Sequence, residues 1–257
     1  MNILAVGDVI GKPGRRALQQ FLPGLINEYD VDLVIANGEN SAHGIGITVK
    51  TAQELLDAGV DVITSGNHVW AQREIVNHMD GDLPIIRPLN FPPGVAGRGY
   101  LIIDGVLVVN LIGRVFVGPA DCPFRAMDSL LSSLRPLPKV ILVDFHAEAT
   151  SEKIALGRYL DGRVSAVLGT HTHVGTADSH IMPGGTAYVT DIGMVGPMDS
   201  IIGDDVDNVL ESFLSGLPHR LSVGKGLAAL DAVLLDVDEE TGKAAAISRI
   251  RREESES

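Results

Sequence analysis

Short runs of apolar residues recur along the chain, and most are followed by a turn containing Gly or Asn and then by a segment with apolar residues at helical spacing. This alternation is typical of α/β proteins. The runs predict strands at residues 3–6, 32–36, 60–64, 100–103, 106–111, 140–145, 166–168, 186–190, 229–237 and 244–250. The helical spacing predicts helices at residues 14–28, 50–58, 70–79, 125–134, 151–160 and 204–214.

Two short segments between predicted strands have the residue types of hairpin turns, namely Ile103-Asp-Gly-Val106 and the stretch from Asp238 to Lys243. Hairpins add antiparallel strands to a parallel sheet, so we expect at least one mixed sheet. The sequence shows no internal repeat and no long linker. We therefore expect one domain over residues 1–252, followed by an acidic C-terminal tail at residues 253–257.

The composition is that of a folded, acidic protein. Of the 257 residues, 45% are hydrophobic and 21% are charged, which excludes the disordered and collagen-like classes. The 33 Asp and Glu residues outnumber the 20 Lys and Arg residues, and the formal net charge is −13. This charge repels duplex nucleic acid and anionic membranes, so neither is expected as a partner. An anionic substrate therefore needs local positive charge, from metal ions or from a few Lys and Arg side chains.

Cysteine usage and the start of the chain predict a cytoplasmic location. The single cysteine, Cys122, has no partner for an intrachain disulfide. The chain starts on a strand-like segment at residues 2–6. Every apolar stretch is shorter than the roughly 20 residues that span a bilayer.

Side chains able to bind metal follow five of the predicted strands. Ligands of open α/β sheets gather at the carboxyl ends of the strands, so we expect these side chains to meet in one place. A single Asp, Asn or His after a strand is more often a turn residue or a hydrogen-bonded side chain, so the coincidence at five strand ends carries the argument. The residues are Asp8, Glu39, Asn40, Asn67, His68, His146, His171 and His173.

His171 and His173 are two residues apart, so in an extended chain both imidazoles face the same side. The alternative for this segment is an ordinary polar loop. The candidate ligands are carboxylates, amides and imidazoles, a set without thiolate that suits Mn²⁺, Fe or Zn²⁺. They are too many for one ion and about enough for two. Two ions roughly 3.5–4 Å apart form the arrangement used for in-line attack on phosphorus.

The segment from Gly7 to Lys12 is similar to a phosphate-binding P-loop but lacks its spacing. It has three residues between the glycines where four are required, and Pro13 stands where the loop has Ser or Thr. Pro13 is better explained as a residue that opens the following helix. Lys12, Arg15 and Arg16 either add positive potential near the site or are ordinary solvated helix residues.

Five segments occur in the order of the motifs of a known enzyme class. They are Gly-Asp-Val-Ile-Gly-Lys-Pro-Gly from Gly7, Asn-Gly-Glu-Asn from Asn37, Gly-Asn-His from Gly66, Phe-His-Ala-Glu-Ala-Thr-Ser-Glu-Lys from Phe145 and Gly-Thr-His-Thr-His-Val from Gly169. With them, nearly the whole chain resembles the calcineurin-like metallophosphoesterases, and within that class the bacterial YmdB family. The resemblance implies an α/β sandwich of two mixed β-sheets flanked by helices.

The resemblance also implies the roles of the site residues. The wider class usually has Asp-x-His where this chain has Asp8-Val-Ile10, and a bridging Asp where this chain has Glu39. As in the YmdB family, Asn40 is the natural substitute ligand. His68 is implied to be catalytic and to face the phosphoryl group. The implied ligands are Asp8, Glu39, Asn40 and His173 for one metal ion and Glu39, Asn67, His146 and His171 for the other, with Glu39 bridging.

By resemblance, the reaction is hydrolysis of nucleoside 2′,3′-cyclic phosphates to 3′-phosphates through attack by a metal-bound hydroxide. The implied cofactors are two metal ions, Fe or Mn with Zn or Mg as alternatives, and the implied substrate is a small cyclic nucleotide or phosphodiester. A homo-oligomer, dimer or tetramer, is also expected.

Two other functions stay open on the sequence alone. One is a metal-dependent regulatory protein that acts through a partner in RNA processing or signalling. The other is a phosphomonoesterase or protein phosphatase on the same scaffold. Residues 90–98 and 114–125 are the candidate walls of the substrate pocket, because both segments are rich in Gly and Pro and carry Arg or Phe.

Overall fold

Twelve strands and five α-helices follow one another along residues 1–256, the part of the chain that this computed structural model describes. The strands are β1 (Asn2–Val9), β2 (Leu33–Asn37), β3 (Val62–Thr64), β4 (Tyr100–Ile103), β5 (Val106–Ile112), β6 (Val140–His146), β7 (Ala166–Thr170), β8 (His180–Ile181), β9 (Ala187–Val189), β10 (Met194–Pro197), β11 (Ala228–Val237) and β12 (Ala244–Glu253). The helices are α1 (Gly11–Glu28), α2 (Val49–Asp57), α3 (Pro123–Ser133), α4 (Thr150–Leu160) and α5 (Val206–Ser215).

The strands form two six-stranded sheets, both of which are mixed. The first has the order β12-β11-β10-β1-β2-β3, and the second has the order β4-β5-β6-β7-β9-β8. In the first sheet β10, β1, β2 and β3 are parallel, β11 is antiparallel to β10 and β1, and β12 is antiparallel to β11. In the second sheet β5, β6, β7 and β9 are parallel, with antiparallel β4 and β8 at the edges. The two predicted hairpins are confirmed as β4–β5 and β11–β12.

The two sheets pack face to face, and helices cover their outer faces. In β1, Ile3 and Ala5 belong to the buried cluster between the sheets, whereas Leu4 and Val6 belong to the cluster beneath α1 and α2. A third buried cluster fills the space between the second sheet and α3 and α4. Strands covered on both faces are buried at nearly every position and are largely apolar, which is why the sequence shows them as continuous runs. The predicted sandwich of two mixed sheets flanked by helices is confirmed.

The structure corrects one predicted helix and adds two strands. The segment predicted as a helix over 70–79 forms only a 3₁₀ helix at Arg73–His78. Ile75 is its only buried residue, so packing does little to extend it. The added strands are β8, which has two residues, and β10, whose sequence Met-Val-Gly-Pro has few strand-forming residues.

The C-terminal boundary also differs from the prediction. β12 continues to Glu253, and the backbone N–H of Glu254 donates to the Ala228 carbonyl at 2.9 Å. The Glu254 carboxylate accepts from the Ala228 N–H at 2.8 Å and from Arg16 at 2.6 Å. Glu253 therefore belongs to the first sheet and not to a tail, and Glu254 is held beside the sheet by Ala228 and Arg16.

Ser257, the last residue of the predicted tail, lies outside the described residues. That residues 1–252 form a single domain stays a prediction. No helix within residues 1–256 is both long and apolar enough to cross a membrane.

Candidate metal centre

The eight candidate side chains converge where the carboxyl ends of parallel strands from both sheets meet. The first sheet supplies five of them and the second sheet supplies three. Asp8 lies in β1, Glu39 and Asn40 follow β2, Asn67 and His68 follow β3, His146 ends β6, and His171 and His173 follow β7. The site therefore lies across the junction of the two sheets, although its residues are distant in sequence.

The centre of the cluster is Nε2 of His146, a fully buried side chain. It lies 3.0 Å from Oε1 of Glu39, 3.0 Å from Oδ1 of Asn67 and 2.9 Å from Nδ1 of His171. Glu39, His146 and His171 together offer ligand atoms within 4.8 Å of one another. Carboxylate, amide and imidazole atoms facing each other at this range fit a divalent cation of the Mn, Fe or Zn type.

A second group of ligand atoms lies beside the first. Oδ1 of Asp8 is fully buried and has no hydrogen-bond partner within residues 1–256. It lies 3.8 Å from Nε2 of His173, which in turn lies 3.2 Å from the side-chain nitrogen of Asn40. An unpaired buried carboxylate oxygen is costly, so its presence also fits a cation at this place.

His68 has a different position from the other candidates. Its Nδ1 lies 3.0 Å from Oδ1 of Asn40, and its backbone N–H donates to Oε2 of Glu39 at 3.0 Å. Its side chain is 37% exposed and lines an open cavity of about 260 Å³ above the cluster. The ring is thus fixed at one nitrogen and faces the space from which a substrate would approach.

Each of the three clustered imidazoles has its remaining ring nitrogen held by another group. Such partners fix the ring orientation and the nitrogen that faces the centre. The partners are the hydroxyl of Thr170 for His146 (3.0 Å), the carboxylate of Glu148 for His171 (3.1 Å) and the carbonyl of Ile202 for His173 (2.7 Å). Thr170 in turn donates to the buried carboxylate of Asp144 at 2.7 Å.

A buried ion pair supports the turn that carries His171 and His173. The Asp191 carboxylate accepts from Lys153 Nζ at 2.8 Å and from the backbone N–H and hydroxyl of Thr172 at 3.1 and 2.7 Å. His171 and His173 have φ angles of 97° and 64°, which side-chain-bearing residues rarely adopt. The sequence pattern missed Lys153 and Asp191; the only signal was a lysine on the buried face of α4.

The electrostatics of the cluster show a shortage of positive charge. Burial raises the pKa of Asp8 to about 6. Burial also opposes ionisation of Glu39, but the charges of His146 and His68 prevail and hold the pKa of Glu39 at about 2. The same pairing overcomes burial and raises the pKa of His146 to about 9, whereas burial and the neighbouring His146 lower the pKa of His171 to about 3. Glu39 and His146 therefore form a buried ion pair, whereas burial of the Asp8 carboxylate outweighs the opposite charges near it.

The predicted pocket walls are wrong. The cavity above the cluster is walled by Gly44, Thr172, Ile202 and Asp204, together with Glu148 and cluster residues, and neither 90–98 nor 114–125 lines it. Part of the 90–98 segment lines a different cavity beside β4. Glycine and proline content marks a loop but does not show which loop the fold brings to the site.

Comparison with known proteins defines the family. The YmdB-like protein family matches residues 4–250, and the chain belongs to it. The chain is 47% identical to the 2′,3′-cyclic-nucleotide 2′-phosphodiesterase of Bacillus subtilis, over 97% of this chain and 96% of that protein. The predicted resemblance is therefore confirmed.

Two solved structures share the fold across nearly their whole length. A hypothetical protein from Thermus thermophilus is 46% identical, with a TM-score of 0.93 and coverage of 99% of this chain and 100% of that one. A phosphatase from Mycoplasma pneumoniae is 36% identical, with a TM-score of 0.92 and coverage of 98% and 93%. Both agree with the calcineurin-like sandwich expected from the motifs.

We expect Lys153→Met to lower the free energy of unfolding by about 3–5 kcal/mol, because it leaves the buried Asp191 carboxylate without its cation. The double variant Lys153→Met/Asp191→Asn should regain part of this loss, since it leaves neither charge unpaired. Urea-induced unfolding measures both effects. Equal stability of Lys153→Met and the wild-type protein would contradict a structural role for the pair.

Proposed function

We propose that this protein is a metal-dependent phosphodiesterase that hydrolyses nucleoside 2′,3′-cyclic phosphates to 3′-phosphates. The buried cluster of carboxylate, amide and imidazole groups carries the proposal. It lies at the base of an open cavity, where its ligand types suit metal-assisted phosphoester hydrolysis. The substrate class is supported by the Bacillus subtilis relative, whose name states this activity.

The proposed ligand sets follow the two contact groups of the cluster. One ion would be held by Asp8, Glu39, Asn40 and His173 and the other by Glu39, Asn67, His146 and His171. The Glu39 carboxylate would bridge them, and its full burial at the centre of the cluster supports this role. We propose Fe or Mn at these positions, with Zn or Mg as alternatives.

Charge arithmetic supports two ions over one. Among the proposed ligands only Asp8 and Glu39 are carboxylates, so two divalent ions contribute +4 against −2 and leave the centre at about +2. The protein as a whole carries −13 and repels anions at long range. A local positive centre therefore gives an anionic phosphodiester a favourable place to bind.

When bound, two such ions supply charge to the phosphoryl oxygens and lower the pKa of a water molecule. The role of the protein chain would be to place His68 against the phosphoryl group. Because Nδ1 of His68 is held by Asn40, its other ring edge is free to stabilise the transition state or to protonate the departing 2′-oxygen. This position, next to the ligands and exposed to the cavity, supports a catalytic role distinct from metal binding.

A phosphomonoesterase is the second candidate function. It would use the same cluster, and it is favoured by the solved Mycoplasma pneumoniae relative, which is named a phosphatase. The regulatory role, the cytoplasmic location and the dimer or tetramer stay predictions.

Product analysis decides between the two candidate functions. We expect adenosine 2′,3′-cyclic phosphate to be hydrolysed with a higher kcat/KM than adenosine 3′-phosphate, because the diester is the proposed substrate class. Chromatography of the metal-loaded reaction should show adenosine 3′-phosphate as the main product. A dominant 2′-phosphate product, or faster hydrolysis of the monoester, would reject the proposal.

Glu39→Gln should lose nearly all hydrolysis and part of its bound metal while the fold persists, because one carboxylate is proposed to hold both ions. Glu240→Gln, which makes the same change in the exposed β11–β12 turn, is the matched control and should match the wild-type protein. Metal content, turnover and melting temperature are measured together. Near-normal turnover of metal-reconstituted Glu39→Gln would show that Glu39 does not bridge.

His68→Ala should reduce kcat by about 10²–10⁴-fold, the usual cost of removing a positioned proton donor, with little change in metal content. The two quantities have to be measured on the same preparation. Stoichiometric loss of one ion would make His68 a ligand and would overturn the proposed division of roles.

A further inference from the structure

A second and larger cavity lies beside the metal centre. Its volume is about 590 Å³, within the range of small-molecule sites. Five of its lining residues are basic, and none is acidic, although acidic residues outnumber basic ones in the chain as a whole. The basic residues are Lys12, Arg16, His43, Arg220 and Lys225, and we call this space the basic cavity.

The basic cavity and the cavity over the metal cluster share a wall. His43 lines the basic cavity, and its neighbour Gly44 lines the cavity over the cluster. Val223 lines the basic cavity and forms a β-bridge with Asp204, which lines the other. A Cβ atom added at Gly44 would lie 2.7 Å from Val223, so the two sides of the wall are in close contact.

The positive charge of the basic cavity is largely uncompensated by the protein. Arg16 is paired with Glu254, but Lys12, Arg220 and Lys225 form no ion pair within residues 1–256. Lys12 also lies in the first turn of α1, where no acidic residue is present. Cations are unfavourable at the amino end of a helix, and a bound anion would reverse that cost.

The lining also indicates which part of a nucleotide fits. It contains no Phe, Tyr or Trp on which a base could stack, but it offers several cationic hydrogen-bond donors. Such donors form strong, charge-assisted hydrogen bonds with phosphate oxygens. The cavity is therefore suited to the phosphate backbone of a nucleotide and not to its base.

We propose that the basic cavity binds the phosphate on the 5′ side of the nucleoside whose 2′,3′-cyclic phosphate occupies the metal centre. The substrate class then extends from free cyclic nucleotides to those that carry a 5′-phosphoryl group, as the 3′ end of a cut RNA strand does. This inference rests on the proposed cyclic-phosphodiesterase function and specifies its substrate. It also gives Lys12 and Arg16 a functional role.

The test compares two substrates that differ by one group, adenosine 2′,3′-cyclic phosphate with a 5′-hydroxyl and the same nucleotide with a 5′-phosphate. We expect kcat/KM to be at least about tenfold higher for the 5′-phosphorylated substrate, since one hydrogen bond to a charged group is worth about this factor. The ratio of the two kcat/KM values should fall as KCl is raised, because exposed charges are screened.

The variant Arg220→Ala/Lys225→Ala should lower this ratio several-fold, because it removes two of the three cations of the basic cavity that form no ion pair within residues 1–256 and leaves Lys12. The matched control is Lys50→Ala/Arg158→Ala, which removes the same charge from exposed positions on α2 and α4 that line neither cavity. The control should keep the wild-type ratio. Because all four side chains are exposed, both double variants are expected to fold.

The outcomes separate this inference from the function on which it rests. Hydrolysis of both nucleotides with equal kcat/KM would overturn the role of the basic cavity and leave the phosphodiesterase proposal intact. A ratio that Arg220→Ala/Lys225→Ala leaves at the wild-type value would also overturn it, since two of the unpaired cations of the basic cavity would then contribute nothing to recognition of the 5′-phosphate. Failure to hydrolyse either nucleotide would reject both proposals.

Discussion

The burial of two carboxylates beside three imidazoles is the constraint on which this structure depends. Asp8 and Glu39 are fully enclosed, and charges in a protein interior are costly unless they are compensated. His146 compensates Glu39 at 3.0 Å, but Oδ1 of Asp8 has no hydrogen-bond partner among the described residues. The protein thus holds more negative charge at this point than its own side chains balance. A site built in this way favours cations, and through them an anionic substrate.

The surrounding structure keeps these groups from relaxing apart. The ligands lie at the ends of strands that are buried on both faces, so moving them would disturb the core between the sheets. The turn with His171 and His173 in left-handed conformations is held by Thr172 against the buried Lys153–Asp191 pair. Strain of this kind persists only where neighbouring contacts fix the backbone. The positions of His171 and His173 in the metal centre therefore depend on contacts made outside it.

Much of the site could be predicted from the sequence because its geometry follows from topology. Parallel strands bring their carboxyl ends to one edge, so the polar residues after each apolar run were expected together, and all eight lie in one region. The pocket walls could not be predicted, because Ile202 and Asp204 lie between β10 and α5, and the helical spacing over 204–214 does not show that the start of this segment reaches the site. The Lys153–Asp191 pair was missed for a related reason, since its partners are 38 positions apart and the only local signal was a lysine on the buried face of α4.

The structure also gives a physical reason for Ile10 at the place where the wider class has histidine. Ile10 is buried and lies against Gly196 and Gly203, where added Cβ atoms would stand 3.1 and 2.9 Å from its carbons. An imidazole there would be enclosed by apolar atoms and glycine backbone, at the cost of an unpaired polar group. It would also disturb the packing of position 10 against Gly203, which follows Ile202 in the chain. The carbonyl oxygen of Ile202 accepts from Nδ1 of His173. The Asn40 amide nitrogen lies 3.2 Å from Nε2, the other ring nitrogen of His173. An amide in the loop after β2 therefore contacts this histidine while position 10 stays apolar.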